Sequence, residues 1–222
     1  MAWFVELADR HGAIVLAPLF PVGIPDGEDD GAYKRLAAHG LRFDLVLLAM
    51  IEDAARTWRI ETERFFLFGF SGGGHFAHRF LLVHPQRLCG VSVAAPGIVT
   101  LPVAEHSWWV GTADMVTVFG RSLDRNALAR VPVHAVVGED DTETWEITPQ
   151  PGGVWDRPEY RLAGADRPAR LAALVEALRD LGTDVLHESV PGVAHQGAPL
   201  AARACNFFDR LLAGPDSMEE PG

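Results

Sequence analysis

The stretch Gly69-Phe70-Ser71-Gly72-Gly73-Gly74 lies where an apolar segment, residues 65–70, meets a predicted helix that begins near Gly73. Because the turn from strand to helix is so sharp, the residues beside the serine come close to neighbouring backbone, which predicts a need for glycine at Gly69 and Gly73. The hydroxyl of Ser71 is then exposed above the sheet, with a helix N-terminus behind it that favours developing negative charge. The stretch therefore predicts a nucleophilic serine.

A phosphate-binding turn is the main alternative for this stretch, because Gly69-x-Ser71-x-x-Gly74 loosely resembles a dinucleotide-binding motif. That motif expects an acidic residue about 20 positions further on, at the end of a strand. This chain has the apolar run 91–95 there. A nucleophile is therefore the favoured interpretation.

Short apolar segments alternate with amphipathic ones along the chain, which is typical of an α/β fold with a mostly parallel sheet flanked by helices. The predicted strands are residues 13–17, 64–70, 88–95, 133–138 and 184–190. The predicted helices are residues 3–10, a second capped by Asp44, a third over 73–84, a fourth between Pro168 and Gly182, and a last one opened by Pro199. Three long segments, 21–31, 99–130 and 142–166, fall outside this alternation and have the length of functional loops.

The composition fits one soluble domain, which we place at residues 1–214, with a flexible tail at 215–222. The formal charge of −11 argues against nucleic acid as a partner. No apolar run approaches the roughly 18 residues that cross a bilayer, which argues against a membrane partner. Residues 1–11 carry Glu6, Asp9 and Arg10 in place of an export signal, which predicts a cytoplasmic location.

A weakly nucleophilic serine needs a base and a group that orients the base. The predicted strand 133–138 runs into the turn Gly138-Glu139-Asp140-Asp141, and the predicted strand 184–190 runs into the loop 191–197, which contains His195. Because the carboxyl ends of parallel strands meet at one edge of a sheet, these groups are expected beside Ser71. The chain order is serine, acid and then histidine.

In these features the chain resembles the α/β-hydrolases, and specifically the bacterial esterases grouped with polyhydroxybutyrate depolymerases and feruloyl esterases. The resemblance rests on residues 60–74 (IETERFFLFGFSGGG), the turn 138–141 (GEDD) and the loop 191–195 (PGVAH), and it extends over about 3–212. It implies an α/β-hydrolase fold and hydrolysis of a small or medium carboxylic ester through an acyl-enzyme, without a cofactor. A thioesterase or peptidase on the same scaffold, or a non-catalytic binding protein, is the alternative.

The resemblance also implies roles for individual residues. Ser71 attacks the ester carbonyl, His195 takes its proton and returns it to the leaving alcohol, and Asp141 orients the imidazole. Asp141 matches the fourth position of the family's Gly-x-x-Asp turn. The other carboxylates near this turn, Asp140, Glu139 and Glu143, stay open as alternatives.

The oxyanion hole poses a problem for this reading. The resemblance assigns one donor to the N–H of Gly72 and the other to a loop after a third strand, ahead of the first helix. Here Trp3 already belongs to the predicted first helix, so that strand and loop have no counterpart. We expect an N-terminally truncated form of a longer protein; direct pairing of residues 13–17 with 64–70, or a strand from another chain, would also fill the gap.

Aromatic residues near the strand ends are candidates for a substrate pocket, although loop tryptophans serve equally well as local cores. The predicted pocket residues are Phe70, Trp108, Trp109 and Trp145, and Trp155 of the long segment 142–166 is a further candidate. The expected partner is a small-molecule ester, and the oligomeric state, including a homodimer, stays open.

No metal site is predicted. His75 and His78 lie one helical turn apart, but further ligands are not evident, so a solvated or structural pair is expected. The acidic residues of the segment 21–31 do not match the spacing of a calcium-binding loop. Cys89 and Cys205 are expected to be buried free thiols.

Overall fold

The structure is a computed structural model that describes residues 2–21, 23, 29 and 31–214. The tail predicted at 215–222 and most of the acidic segment 21–31 lie outside the described residues. None of the described helices is both long enough and apolar enough to span a membrane.

Four parallel strands form the main sheet, and their order in space follows their order in the chain. They are β3 (Phe65–Phe70), β4 (Leu88–Ala94), β5 (Val133–Gly138) and β6 (Val185–Val190), and a short antiparallel pair, β1 (Ala37–Ala38) and β2 (Leu41–Arg42), precedes them. All six residues of β5 are buried, as expected for a central strand covered on both faces. The sequence therefore predicted these four strands correctly, to within one residue at every end.

The α-helices are α1 (Val5–His11), α2 (Phe43–Thr57), α3 (Gly72–Val83), α4 (Met115–Phe119), α5 (Arg125–Leu128), α6 (Arg167–Asp180) and α7 (Gly197–Ala213). The apolar stripe predicted for α6 is buried at Leu171, Leu174, Val175 and Leu178. Asp44 does not cap α2 as predicted, because Arg42 holds that position. The Asp44 carboxylate is fully buried instead and accepts hydrogen bonds from Arg42 and His84.

The helices cover the two faces of the sheet, and the alternation of side chains along β3 shows how. Phe65 packs against Phe80 of α3, with ring centroids 5.7 Å apart. The next residue, Phe66, packs against Phe208 of α7 at 5.3 Å. Helix α6 packs on β5 and β6. Because the helices cover the faces of the sheet, the carboxyl ends of the strands are left accessible to loops.

The strand predicted at residues 13–17 does not form. The segment has no ladder partner, and within the described part of the chain β3 is an edge strand bonded only to β4. A continuous apolar segment such as this one needs a neighbouring strand before its backbone groups can pair. The explanation in which residues 13–17 pair directly with β3 is therefore wrong.

Cys89 and Cys205 are free, as predicted, but both are half-buried and not fully buried. The thiol of Cys205 donates a hydrogen bond to the backbone carbonyl of Trp3 at 3.2 Å, which ties α7 to the first turn of the chain.

Candidate active site

Three side chains from separate loops meet at the carboxyl edge of the sheet. Ser71 follows β3, Asp141 belongs to the turn after β5, and His195 to the loop after β6. The Nε2 atom of His195 lies 2.9 Å from Ser71 Oγ, and its Nδ1 atom lies 2.7 Å from Asp141 Oδ2. Because an ionised carboxylate only accepts, Nδ1 carries the proton and donates it to Asp141, which leaves Nε2 to accept from the serine hydroxyl.

Asp141 is the carboxylate that reaches the imidazole. Its side chain is 1% exposed, whereas Glu139 and Asp140 of the same turn are exposed to solvent. The turn and the histidine loop are fastened together, since the N–H of Asp140 donates to the carbonyl of Val193 at 3.0 Å. Gly138 permits this contact, because a Cβ there would lie 2.1 Å from the same carbonyl oxygen.

The backbone at Ser71 has φ of +53° and ψ of −113°, a strained conformation for a residue with a side chain. Its N–H donates to the carbonyl of Ala94 on the neighbouring strand at 2.9 Å, which helps to hold it. A Cβ on Gly69 would lie 2.0 Å from the carbonyl oxygen of Gly73, so glycine is required at Gly69, as predicted.

The predicted need for glycine at Gly73 is not borne out. A Cβ on Gly73 would meet nothing within 4 Å. The close approach falls one residue later, where a Cβ on Gly74 would lie 2.7 Å from the carbonyl oxygen of Ala94. The third glycine, not the second, is therefore what allows α3 to pack against β4.

Phe70 supports the histidine and does not line the cleft beside Ser71. Its ring stacks on the imidazole of His195, with centroids 4.7 Å apart and planes inclined by 29°. The ring also lies against the start of α7, where a Cβ on Gly197 would be 3.1 Å from it. Stacking and tight packing restrict the imidazole to the orientation that faces Ser71.

A cleft of about 530 Å³ opens beside Ser71. Its aromatic wall is formed by Trp145, which is 71% exposed, and by Trp155. Trp108 and Trp109 do not line it: both are buried, where Trp108 packs on Phe119 and Trp109 on Trp155. Of the candidate pocket residues, Trp145 and Trp155 therefore lie at the cleft, and Phe70, Trp108 and Trp109 do not.

Gly72 is the first residue of α3 and also lines the cleft, so its N–H lacks an intrahelical partner. Two side chains lie directly beside it. The hydroxyl oxygen of Tyr33 is 2.6 Å, and Cε of Lys34 3.0 Å, from the point that a Cβ on Gly72 would occupy. Neither residue stood out in the sequence, because each precedes the motif by more than thirty positions.

His75 and His78 are a structural pair. Nε2 of His75 accepts from the N–H groups of Gly97 and Ile98 at 2.8 and 3.0 Å, and Nε2 of His78 accepts from the N–H of Thr100 at 3.0 Å. Burial lowers the pKa of both imidazoles well below the usual range, which keeps them neutral. Among the described residues no cluster of side chains is suited to a metal ion.

Arg167 is a component of the site that the sequence analysis missed. This first residue of α6 is 2% exposed, and its Nη1 donates to Asp141 Oδ1 at 3.0 Å. An arginine beside a helix-opening proline carries no signal for such a contact, which depends on how α6 packs against the turn after β5.

No protein-family model matches this chain, and no curated protein matches it. Solved structures do. A poly(3-hydroxybutyrate) depolymerase from Bordetella parapertussis is 24% identical to this chain, with a TM-score of 0.70. The superposition covers 93% of this chain and 74% of the depolymerase chain. Poly(aspartic acid) hydrolase-1 from Sphingomonas sp. KT-1 is 18% identical to this chain, with a TM-score of 0.72. The superposition covers 93% of this chain and 80% of the hydrolase chain.

A carboxylesterase from Mesorhizobium loti is 20% identical to this chain, with a TM-score of 0.55. The superposition covers 96% of this chain and 83% of the carboxylesterase chain. At these identities the similarity concerns architecture. Together with the parallel sheet and the helices on its two faces, it shows that the chain has the α/β-hydrolase fold.

Proposed function

We propose that this protein is a serine hydrolase that cleaves a small or medium carboxylic ester through an acyl-enzyme intermediate. The observation that carries the proposal is the continuous hydrogen-bonded path from Ser71 Oγ through His195 to Asp141, with distances of 2.9 and 2.7 Å. Structural neighbours described as a depolymerase, a hydrolase and a carboxylesterase support hydrolytic chemistry on this fold.

The geometry suits a two-step acyl transfer. Ser71 Oγ attacks the carbonyl carbon while its proton passes to Nε2 of His195, and the imidazolium then protonates the departing alcohol. Water attacks the acyl-enzyme in the second step, gives its proton to the same nitrogen, and the serine leaves with that proton. The negative charge on Asp141 stabilises the imidazolium in both steps.

The carbonyl oxygen becomes negative in each tetrahedral intermediate and needs donors that are already in place. The N–H of Gly72 and the N-terminal dipole of α3 supply this in our proposal. The cleft of about 530 Å³, with Trp145 and Trp155 on one wall, has the size of sites that take small and medium ligands.

Hydrolysis of p-nitrophenyl acetate and butyrate tests the proposal directly. Because the acyl-enzyme forms on Ser71, Ser71→Ala is expected to lower kcat at least about 1,000-fold, as loss of a triad member does elsewhere. A thioester and an anilide of the same acyl group separate esterase from thioesterase and peptidase activity.

Ser122→Ala is the matched control, since Ser122 is exposed and its neighbour Arg121 contacts Val83 at the far end of α3. Helix α3 has twelve residues and so spans about 18 Å, which separates Ser122 from the nucleophile. Equal turnover in wild type and Ser71→Ala would reject the proposal, and turnover of none of these substrates would favour a non-catalytic binding protein.

A further inference from the structure

Arg167 joins the acid of the site to the wall of the cleft. Its Nη1 atom donates to Asp141 Oδ1 at 3.0 Å and to the carbonyl of Glu143 at 3.3 Å, and its Nη2 atom donates to Glu146 Oε2 at 2.9 Å. Glu146 and its neighbour Trp145 line the cleft. One buried guanidinium therefore spans the turn after β5 and the segment that follows it.

The two oxygens of Asp141 have different partners. Oδ1 accepts from Arg167 and Oδ2 accepts from His195, so the guanidinium fixes the rotation of the carboxylate plane. A carboxylate that is 1% exposed would be costly to bury alone, and the adjacent positive charge offsets that cost. The planar fork of an arginine suits this task better than a lysine ammonium, because two donor atoms act from one rigid group.

Glu146 contributes differently from Asp141. Its side chain is 44% exposed, so its ion pair with Arg167 is screened by water. We expect it to align the far side of the guanidinium and to contribute little to stability.

We propose that Arg167 is a positioning residue that holds Asp141 in the orientation that His195 requires. The proposal rests on the proposed function, because it acts through the acid of that site. Without Arg167 the carboxylate is free to rotate, the imidazole loses its fixed tautomer and direction, and proton transfer from Ser71 slows. Misplacement on the order of 1 Å costs about 100-fold in rate in other enzymes.

A double-mutant cycle separates this role from general structural support. Arg167→Met is expected to lower kcat for p-nitrophenyl butyrate about 10- to 100-fold, with KM changed less than about threefold. On an Asp141→Asn background the same substitution is expected to change kcat less than about threefold, because the group it positions is gone. An equal loss on both backgrounds would overturn the proposal.

Two further variants calibrate the cycle. Arg167→Lys, which keeps the charge without the fork, is expected to recover part of the lost kcat. Arg161→Met removes an exposed arginine from the segment just before α6 and is expected to leave kcat unchanged. If Arg167→Met fails to fold, Arg167→Lys takes its place in the cycle. Its smaller loss of kcat is expected only when Asp141 is present, and an equal loss on both backgrounds would overturn the proposal.

A spectroscopic readout keeps the proposal testable even if the protein cleaves none of the esters. A proton on Nδ1 of His195, in a short charge-assisted bond to Asp141, gives a far-downfield ¹H NMR signal. We expect this signal in wild type and in Arg161→Met, and its loss or displacement in Arg167→Met. An unchanged signal in folded Arg167→Met would contradict the positioning role, whatever the protein's activity.

Discussion

The strained backbone of Ser71 depends on the residue two places before it. A non-glycine residue at φ of +53° costs on the order of 1–3 kcal/mol, so the surroundings must hold it there. Gly69 allows this because it has no Cβ. A Cβ on Gly69 would lie only 2.0 Å from the carbonyl oxygen of Gly73, so the backbone of Gly73 could not approach this closely. The conformation of the strand-to-helix turn at Ser71 therefore depends on the absence of a side chain at Gly69.

Gly69→Ala is predicted to lower the free energy of unfolding by at least about 3 kcal/mol, because either β3 or the start of α3 must move. Gly73→Ala is the matched control. Its new methyl group meets open space, and alanine is up to about 1 kcal/mol better than glycine in a helix, so stability is expected to be equal or higher. Urea unfolding of both variants checks this, and a Gly69→Ala protein as stable as wild type would refute the steric argument.

Individual site residues were predictable where the chain order and the sheet edge both constrained them. Ser71, the acidic turn 138–141 and His195 each follow a strand whose carboxyl end reaches the same edge, so their meeting point could be inferred from sequence. The choice of Asp141 within that turn rested on the resemblance alone. Arg167 could not, because its contact depends on the packing of α6. The sequence also could not tell which of the glycines after Ser71 abuts the carbonyl of Ala94, since that depends on the path of β4.

At the scale of strands and helices, β4 and β5 carry a buried polar pair that makes stability depend on pH. Ser92 of β4 and His134 of β5 are register partners, with Ser92 Oγ 2.9 Å from His134 Nδ1. Both are fully buried, and burial lowers the pKa of His134 to about 4. The strand pair therefore favours the neutral imidazole.

Since its folded pKa lies below that of the unfolded chain, about 6.5, His134 binds its proton more readily when the chain unfolds. The contribution of the neutral His134 to the free energy of unfolding is complete above pH 6.5. It is lost as the pH falls toward 4, and the total loss is about 3 kcal/mol. Urea unfolding at pH 7 and at pH 4.5 is expected to show a smaller pH-dependent loss in His134→Asn than in wild type. An identical loss in the two proteins would show that His134 does not contribute to the pH dependence.

Element prediction succeeded where the sequence pattern matched a buried face and failed where a partner was needed. The stripe of α6 and the apolar run of β5 are set by their own periodicity and length. Residues 13–17 have strand-like composition, but β structure is a property of pairs, and no neighbour is bonded to them in the described chain. The sequence also could not show that Trp109 is buried in a loop core whereas Trp145 lines the cleft, because both environments favour aromatic residues.

At the scale of the whole molecule, the fold gathers chemistry from residues that are far apart in the chain. Ser71 and His195 are separated by 124 positions, yet their side chains lie within hydrogen-bond distance. The alternation of strands and helices was enough to predict a parallel sheet and the edge where the loops meet. The size of the cleft arises from loop packing, and the approach of Tyr33 and Lys34 to Gly72 arises from the position of the 3-10 helix Ala32–Arg35. Neither leaves a simple sequence pattern.

Covalent capture shows whether His195 activates Ser71. A fluorophosphonate loses fluoride to an activated serine and leaves a stable phosphonyl ester, which intact-mass measurement counts and peptide mapping locates. We predict one adduct per chain, on the peptide containing Ser71, and slowed by at least about 100-fold in His195→Gln. No adduct, or an adduct that forms equally fast without His195, would show that the two residues do not act as nucleophile and base.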